Sequence, residues 1–198
     1  MTNELGSDFA GISAEDLYDS ESPLVPGRAC GSCTLCCKLL VIPELNKPGD
    51  VMCSYAVAGK GCAIHDRRPR FCHQYFCGWR LDPNIDAQWK PEICGFLLSI
   101  NLYYSALMVM VDPARPLAWR MQPYHARLRE WAGRAFKENK RIVAMVAGEA
   151  TVVLPDRDVP IGRLGPGDEI VLSMDGSGYH AELRKKGQGS AATRSVAG

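Results

Sequence analysis

Cys30, Cys33, Cys36, Cys37, Cys53, Cys62, Cys72 and Cys77 all fall within residues 30–77, and only Cys94 of the nine cysteines lies outside. Such a concentration restricts the fold more than any other feature of the chain. Glycines and prolines share the segment, so the cysteine zone is expected to be built mainly of loops. Loops of that kind need a crosslink or a bound ion to hold them.

Disulfides and metal ligation are the two ways to use so many thiols. Residues 1–22 carry Glu4, Asp8, Glu15, Asp16, Asp19 and Glu21, with no Lys or Arg before Arg28. A secretory signal or a mitochondrial transit peptide would be basic there, so a cytoplasmic location is expected, where thiols stay reduced. Nine is also an odd number for a closed set of disulfides. Metal is therefore the expected use, ahead of disulfides or free buried thiols.

The spacing refines this expectation. Cys30-Gly-Ser-Cys33 is a C-x2-C step, which lets two thiolates turn toward one ion while backbone amides donate to sulfur. Cys36 and Cys37 are adjacent, and adjacent side chains diverge, by about 100° on a helix. They are expected to serve two centres or one extended cluster. The remaining four follow as Cys53-x8-Cys62-x9-Cys72-x4-Cys77. Eight thiolates match two four-thiolate sites, whether Zn²⁺ or iron–sulfur clusters of the 4Fe-4S kind. His65 and His73 suit either metal as ligands, but hydrogen-bonding roles are the stronger expectation. Arg67, Arg68 and Arg70 stand where cations would offset the thiolate charge, with a solvated turn as the alternative.

These residues resemble the YkgJ-type cysteine-cluster family, described as a zinc- or iron-chelating domain. The resemblance rests on Cys-x2-Cys-x2-Cys-Cys, a spaced cysteine, a Gly-Cys-x-Ile-His element at Gly61–His65, Arg68-Pro69 before Cys72, and an aromatic-x-Cys ending at Cys77 in this chain. It covers about residues 28–112 and implies that the eight clustered cysteines are the ligands. A flagellin lysine N-methylase shares the cysteine motif and is thought to use an iron–sulfur centre with S-adenosylmethionine. No nucleotide fingerprint accompanies the motif here, and little chain remains for a methyl-donor domain. Cys94 is not at a position associated with the family's ligands; a lone cysteine before two strands reads as a small buried hydrophobe.

The rest of the chain is expected to be an α+β fold: an irregular Cys-rich metal-binding module packed on a small antiparallel sheet with one long amphipathic helix. At 198 residues the chain suits one domain, or one with an appendage. We divide it into a flexible acidic leader (1–28), the cysteine-cluster domain (29–112), a helix plus C-terminal strands in the same or an appended domain (113–184), and a disordered tail (185–198). A short helical turn is expected near Ala14–Tyr18. Phe96–Ile100 and Ala106–Val111 read as strands, the second ended by Asp112-Pro113. Tyr124, Leu128, Trp131, Ala135 and Phe136 recur at helical spacing. Ile142–Val146 and Thr151–Leu154 read as strands turned at Gly148-Glu149, and Ile170–Ser173 and Tyr179–Leu183 flank the turn Asp175–Gly178.

Other function classes find little support. A net charge of +1 argues against general nucleic-acid binding. The longest apolar stretch, Phe96–Val111, is broken by Ser99, Asn101 and Ser105 and falls short of the ~20 residues of a membrane span. Trp79, Trp89, Trp119 and Trp131 are expected in the core. Asp156, Asp158, Asp168 and Glu169 are expected as solvated loop acids. No nucleophile elbow, P-loop or His-Glu-x-x-His element occurs. Three readings remain: a structural metal with a protein partner, an iron–sulfur electron-transfer protein, and an iron–sulfur enzyme.

Overall fold

The computed structural model describes residues 24–187. The expectations for residues 1–23, including the turn near Ala14–Tyr18, and for the tail from 188 onward lie outside the described residues. Among the described residues, no helix is long and apolar enough to cross a membrane.

The cysteine zone forms short elements: α1 (Leu35–Leu39), the two-residue strands β1 (Ala56–Val57) and β2 (Gly61–Cys62), α2 (Arg70–Gln74), α3 (Gly78–Leu81) and α4 (Pro91–Cys94). Beyond it come β3 (Phe96–Asn101), β4 (Ala106–Val111), α5 (Tyr124–Lys137), β5 (Arg141–Val146), β6 (Glu149–Val153), β7 (Asp158–Arg163), β8 (Glu169–Asp175) and β9 (Gly178–Arg184). Strands β3 to β7 make a five-stranded sheet in sequence order, while β8 and β9 make a separate hairpin.

The fold is mixed α and β, with small antiparallel sheets and one long helix, as expected in outline. In one respect the sheet departs from the expectation. Strands β4 and β5 pair in parallel, from Ala106↔Arg141 to Val111↔Val146, with α5 as the crossover between them. Parallel neighbours need a long connection, and the 14-residue helix supplies it. The β5–β6 turn is Ala147-Gly148, one residue earlier than expected, and both residues have positive φ. A two-residue hairpin loop of that kind matches the twist of its strands.

Strand β7 has no counterpart among the expected strands; Pro160 lies in it and cannot donate to a ladder. It survives as the edge strand, with a register shift opposite Ala150/Thr151 that leaves Ile161 unpaired between Pro160 and Gly162.

Strand alternation sends side chains to two cores. Phe96, Leu98, Leu107, Val109 and Ile142 face α5 and pack with its Leu128, Trp131, Ala132 and Ala135. The last of these recur at helical spacing and form an apolar stripe of α5, while Phe136 at its C-terminal end packs into the second core against Tyr179. Trp79, Trp89 and Trp119 join the same core, so all four tryptophans are buried as expected. On the other face, Ala106, Met108, Val143 and Val152 pack with Ile170, Leu172, Tyr179 and Leu183 of the β8–β9 hairpin. Burial on both faces explains why Ala106–Val111 reads as a continuous apolar run.

Two contacts seat the cysteine zone on this frame. Gly78 lies so near β3 that a Cβ there would fall 2.8 Å from Leu98 Cβ, which brings α3 directly onto the sheet. Lys38 of α1 pairs with Asp112, just past β4, at 2.5 Å.

Candidate metal centre

Residues 24–28, the described end of the segment expected as a leader, are hydrogen-bonded to the stretch that follows Cys77. The Val25 amide donates to the Arg80 carbonyl at 2.9 Å. The Arg28 guanidinium donates to the carbonyls of Trp79, Asp82 and Ile85 and stacks over the Trp79 ring. Residues 24–28 thereby deliver Cys30 to the face of α3.

From there each cysteine is placed by local backbone structure. The Cys33 amide donates to the Cys30 carbonyl at 3.0 Å, closing the C-x2-C turn. Cys36 and Cys37 sit on α1, and the Cys53 amide donates to the Cys37 carbonyl at 3.1 Å. Cys62 pairs with Ala56 across β1 and β2, Cys72 lies on α2, and Cys77 immediately precedes α3. Gly61 permits the closest approach: a Cβ there would lie 2.3 Å from the Gly31 carbonyl oxygen, and its φ is +92°. The loop bearing Cys30 and Cys33 thus rests directly on the strand bearing Cys62.

All nine cysteines are free thiols. The eight clustered ones wall two adjoining cavities. The smaller, about 30 Å³, is bounded by Cys30, Cys33, Cys36 and Cys77. The larger, about 370 Å³, is bounded by Cys37, Cys53, Cys62 and Cys72 and shares Cys30, Cys33 and Cys36 with the smaller. Electrostatic neighbours divide in the same way. Cys77 feels Cys30 and Cys33, whereas Cys72 feels Cys37, Cys53 and Cys62.

The adjacent pair marks the boundary. The Cys36 thiol donates to Cys37, and that bond together with burial holds Cys36 well above the ordinary thiol value. The same bond, helped by the Lys47 ammonium against burial, lowers Cys37 to about 7. Burial pushes both Cys72 and Cys77 up to about 11, and the neighbouring thiols add to it. Thiols held protonated in this way, as Cys36, Cys72 and Cys77 are, would be deprotonated by a cation on binding. Among the described residues, no three His, Cys, Asp or Glu side chains stand close enough to hold one metal ion together. The donor chemistry suits a soft metal, but sulfur–zinc bonds of about 2.3 Å would require the thiols of a set to turn inward.

The cations near the thiols are only partly those read from the sequence. Arg68 lines the larger cavity and donates to His65 Nε2 at 2.5 Å. Because arginine only donates, that nitrogen accepts and His65 carries its proton on Nδ1. Arg67 and Arg70 are exposed and line neither cavity. His73 is likewise exposed and lines neither.

Two cations escaped the sequence reading. Arg80 Nη1 donates to Cys30 Sγ at 3.6 Å. Lys47 is 6% exposed, and its ammonium binds the carbonyls of Lys38, Leu40 and Pro48 at the end of α1. The position of Arg80, three residues past Cys77 on α3, was the available signal. Nothing in the sequence marked Lys47.

Cys94 stands apart from both cavities. It is 1% exposed, its thiol donates to the Phe96 carbonyl at 3.0 Å, and burial pushes it up to about 12.

Two polar groupings lie elsewhere. Asp158 is not the solvated acid expected: its side chain is 11% exposed, and both carboxylate oxygens lie 3.0 Å from His125 Nε2, with Arg120 and Arg129 nearby. Asp168 is also buried, paired with Lys185 at 2.8 Å, while Asp156 and Glu169 are more open. In the β8–β9 turn, Ser177, His180 and Asp175 touch one another. Both Ser177 and Asp175 meet the same imidazole nitrogen, so no proton relay runs through the ring as it does in a hydrolase triad. Comparison with protein-family models, with curated proteins and with solved structures finds no match to this chain.

Proposed function

We propose that the chain is a metal-binding protein of the YkgJ-type cysteine-cluster kind, whose eight clustered cysteines hold zinc or iron–sulfur centres in two sets. Cys30, Cys33, Cys36 and Cys77 form one set, and Cys37, Cys53, Cys62 and Cys72 the other. The observation that carries this reading is the gathering of eight free thiols around two adjoining cavities that share Cys30, Cys33 and Cys36, with Cys77 on the smaller alone and Cys37, Cys53, Cys62 and Cys72 on the larger alone. Arg80 and Lys47 would offset part of the thiolate charge. A reducing compartment such as the cytoplasm belongs to the reading, since the thiols must stay free to ligate.

When bound, zinc would supply structural cross-linking, and an iron–sulfur cluster would supply electron transfer or a Lewis-acidic iron. The unequal cavities favour a second reading beside a purely structural one. The smaller cavity, about 30 Å³, has little room beyond an ion, while the larger, about 370 Å³, has space well beyond what an ion needs, as expected of a centre that meets a substrate or serves a protein partner.

The test is metal and acid-labile sulfide content of anaerobically purified protein, together with its visible spectrum. Cys36→Ser and Cys37→Ser are each expected to remove metal, and from different centres. Metal content unchanged in both variants would overturn the assignment.

A further inference from the structure

The larger cavity has a chemistry of its own besides its thiols. At about 370 Å³ it falls within the range of small-molecule sites. Its walls are mostly apolar, with Ile42, Leu45, Tyr55 and Phe71 among them. No Asp or Glu lines it among the described residues, whereas Lys60, Arg68 and Arg80 do.

These three cations are not equally committed. Arg80 is turned toward Cys30. Arg68 gives Nη1 to His65, and the Nε of both arginines is buried without a hydrogen-bond partner, so what sets Arg68 apart is that its bonded end meets an imidazole and not a thiol. A buried guanidinium N–H with no acceptor is costly, by about 1–3 kcal/mol or more for a charged group. Both guanidiniums are therefore short of an acceptor at the wall of an apolar chamber, and Arg68 is the one not already turned toward a thiol. A guanidinium fork matches a carboxylate or phosphate better than any other side chain does.

We infer that the larger cavity binds a small organic anion, its acidic group on Arg68 and its apolar body against the cavity wall, beside the Cys37, Cys53, Cys62 and Cys72 set. The metal-binding reading enters only through the centre at that set. His65 holds the guanidinium in place through its accepting nitrogen, and Lys60 at the rim adds attraction for a negative ligand. The ligand class is an acid with an aromatic or branched apolar portion, not an inorganic ion.

The test uses the full chain as purified, with metal and sulfide measured on the same sample. Benzoate is titrated calorimetrically, with benzamide and inorganic phosphate as the comparisons. Saturable benzoate binding, at least tenfold tighter than either comparison, is the expected result. Arg68→Gln should weaken benzoate by tenfold or more while leaving metal content unchanged, and Arg68→Lys should recover part of it. Equal affinity for benzamide, or no saturable benzoate binding, overturns the inference. Phosphate binding as tightly as benzoate overturns the organic class. Loss of metal in Arg68→Gln makes the residue a charge partner of the thiolates, which also overturns it. Metal present without benzoate binding defeats this inference alone; absence of metal defeats the proposed function, whatever benzoate does.

Discussion

Gly61→Ala probes how the two cysteine-bearing segments are brought together. Gly61 has φ +92°, a conformation that costs an L-residue roughly 1–2 kcal/mol. In addition, the new Cβ would sit 2.3 Å from the Gly31 carbonyl oxygen. An ordinary C···O contact is about 3.3 Å, so the two segments must part by about 1 Å. The obstruction is backbone and cannot rotate away. Forced rearrangement of that kind adds about 1–3 kcal/mol, for a total of about 2–5 kcal/mol. At roughly 2–4 °C per kcal/mol for a chain of this size, the melting temperature should fall by about 4–20 °C.

Gly59→Ala is the internal control. Its φ is +71°, but nothing lies within 4 Å of the added Cβ. It should show the backbone strain alone, about 1–2 kcal/mol. Calorimetric melting and metal stoichiometry are measured on both variants. Gly61→Ala should melt lower than Gly59→Ala and hold less metal, because the Cys30–Cys33 loop moves away from Cys62. Equal melting temperatures and equal metal content would refute the proposed contact between these segments.

The Lys38–Asp112 pair offers a pH test of how α1 is held to the sheet. Burial pulls the Asp112 carboxyl up, but the Lys38 hydrogen bond, the Ala114 amide and the charges of Lys38 and Arg115 outweigh it, so the group lies below its ordinary value. A depressed carboxylate adds stability above its unfolded pKa of about 3.9, and that stability is lost as pH falls through the folded value. Asp112→Asn should cost about 1–2 kcal/mol at neutral pH, with the difference from the parent shrinking below about pH 4, as read by denaturant unfolding. A difference that grows on acidification would contradict the sign. Cys94→Ala should leave metal stoichiometry intact by elemental analysis, since the thiol lies in the core between Trp89 and Phe96 carbonyls; loss of metal would make it a ninth ligand.

Much of the frame was readable from local pattern. The strands β3 and β4, the helix α5 and the hairpin β8–β9 follow from apolar periodicity and turn residues, which act over a few positions. The parallel pairing of β4 with β5 did not follow, because it joins segments separated by the whole of α5 and depends on how that helix lies on the sheet. Strand β7 carries Pro160, a residue allowed only because the strand is at the edge. Asp158 looked like a loop acid because its partners His125, Arg120 and Arg129 come from elsewhere in the chain.

For the candidate site, the eight cysteines and their order were legible in the sequence, and so was the separation of Cys94 from them. Thiols are few and chemically distinctive, so their clustering along the chain already points to shared chemistry. How they divide between two cavities was a matter of tertiary structure, since Cys77 joins Cys30, Cys33 and Cys36 only once α3 lies on β3 through Gly78. The cations were likewise decided there. Arg67 and Arg70 lie between Cys62 and Cys72 in sequence yet face outward, while Arg80 reaches Cys30 and the Lys47 charge acts on Cys37 through the packing of α3 and α1. Sequence proximity places a charge near a segment; only the packed backbone determines which direction that charge faces.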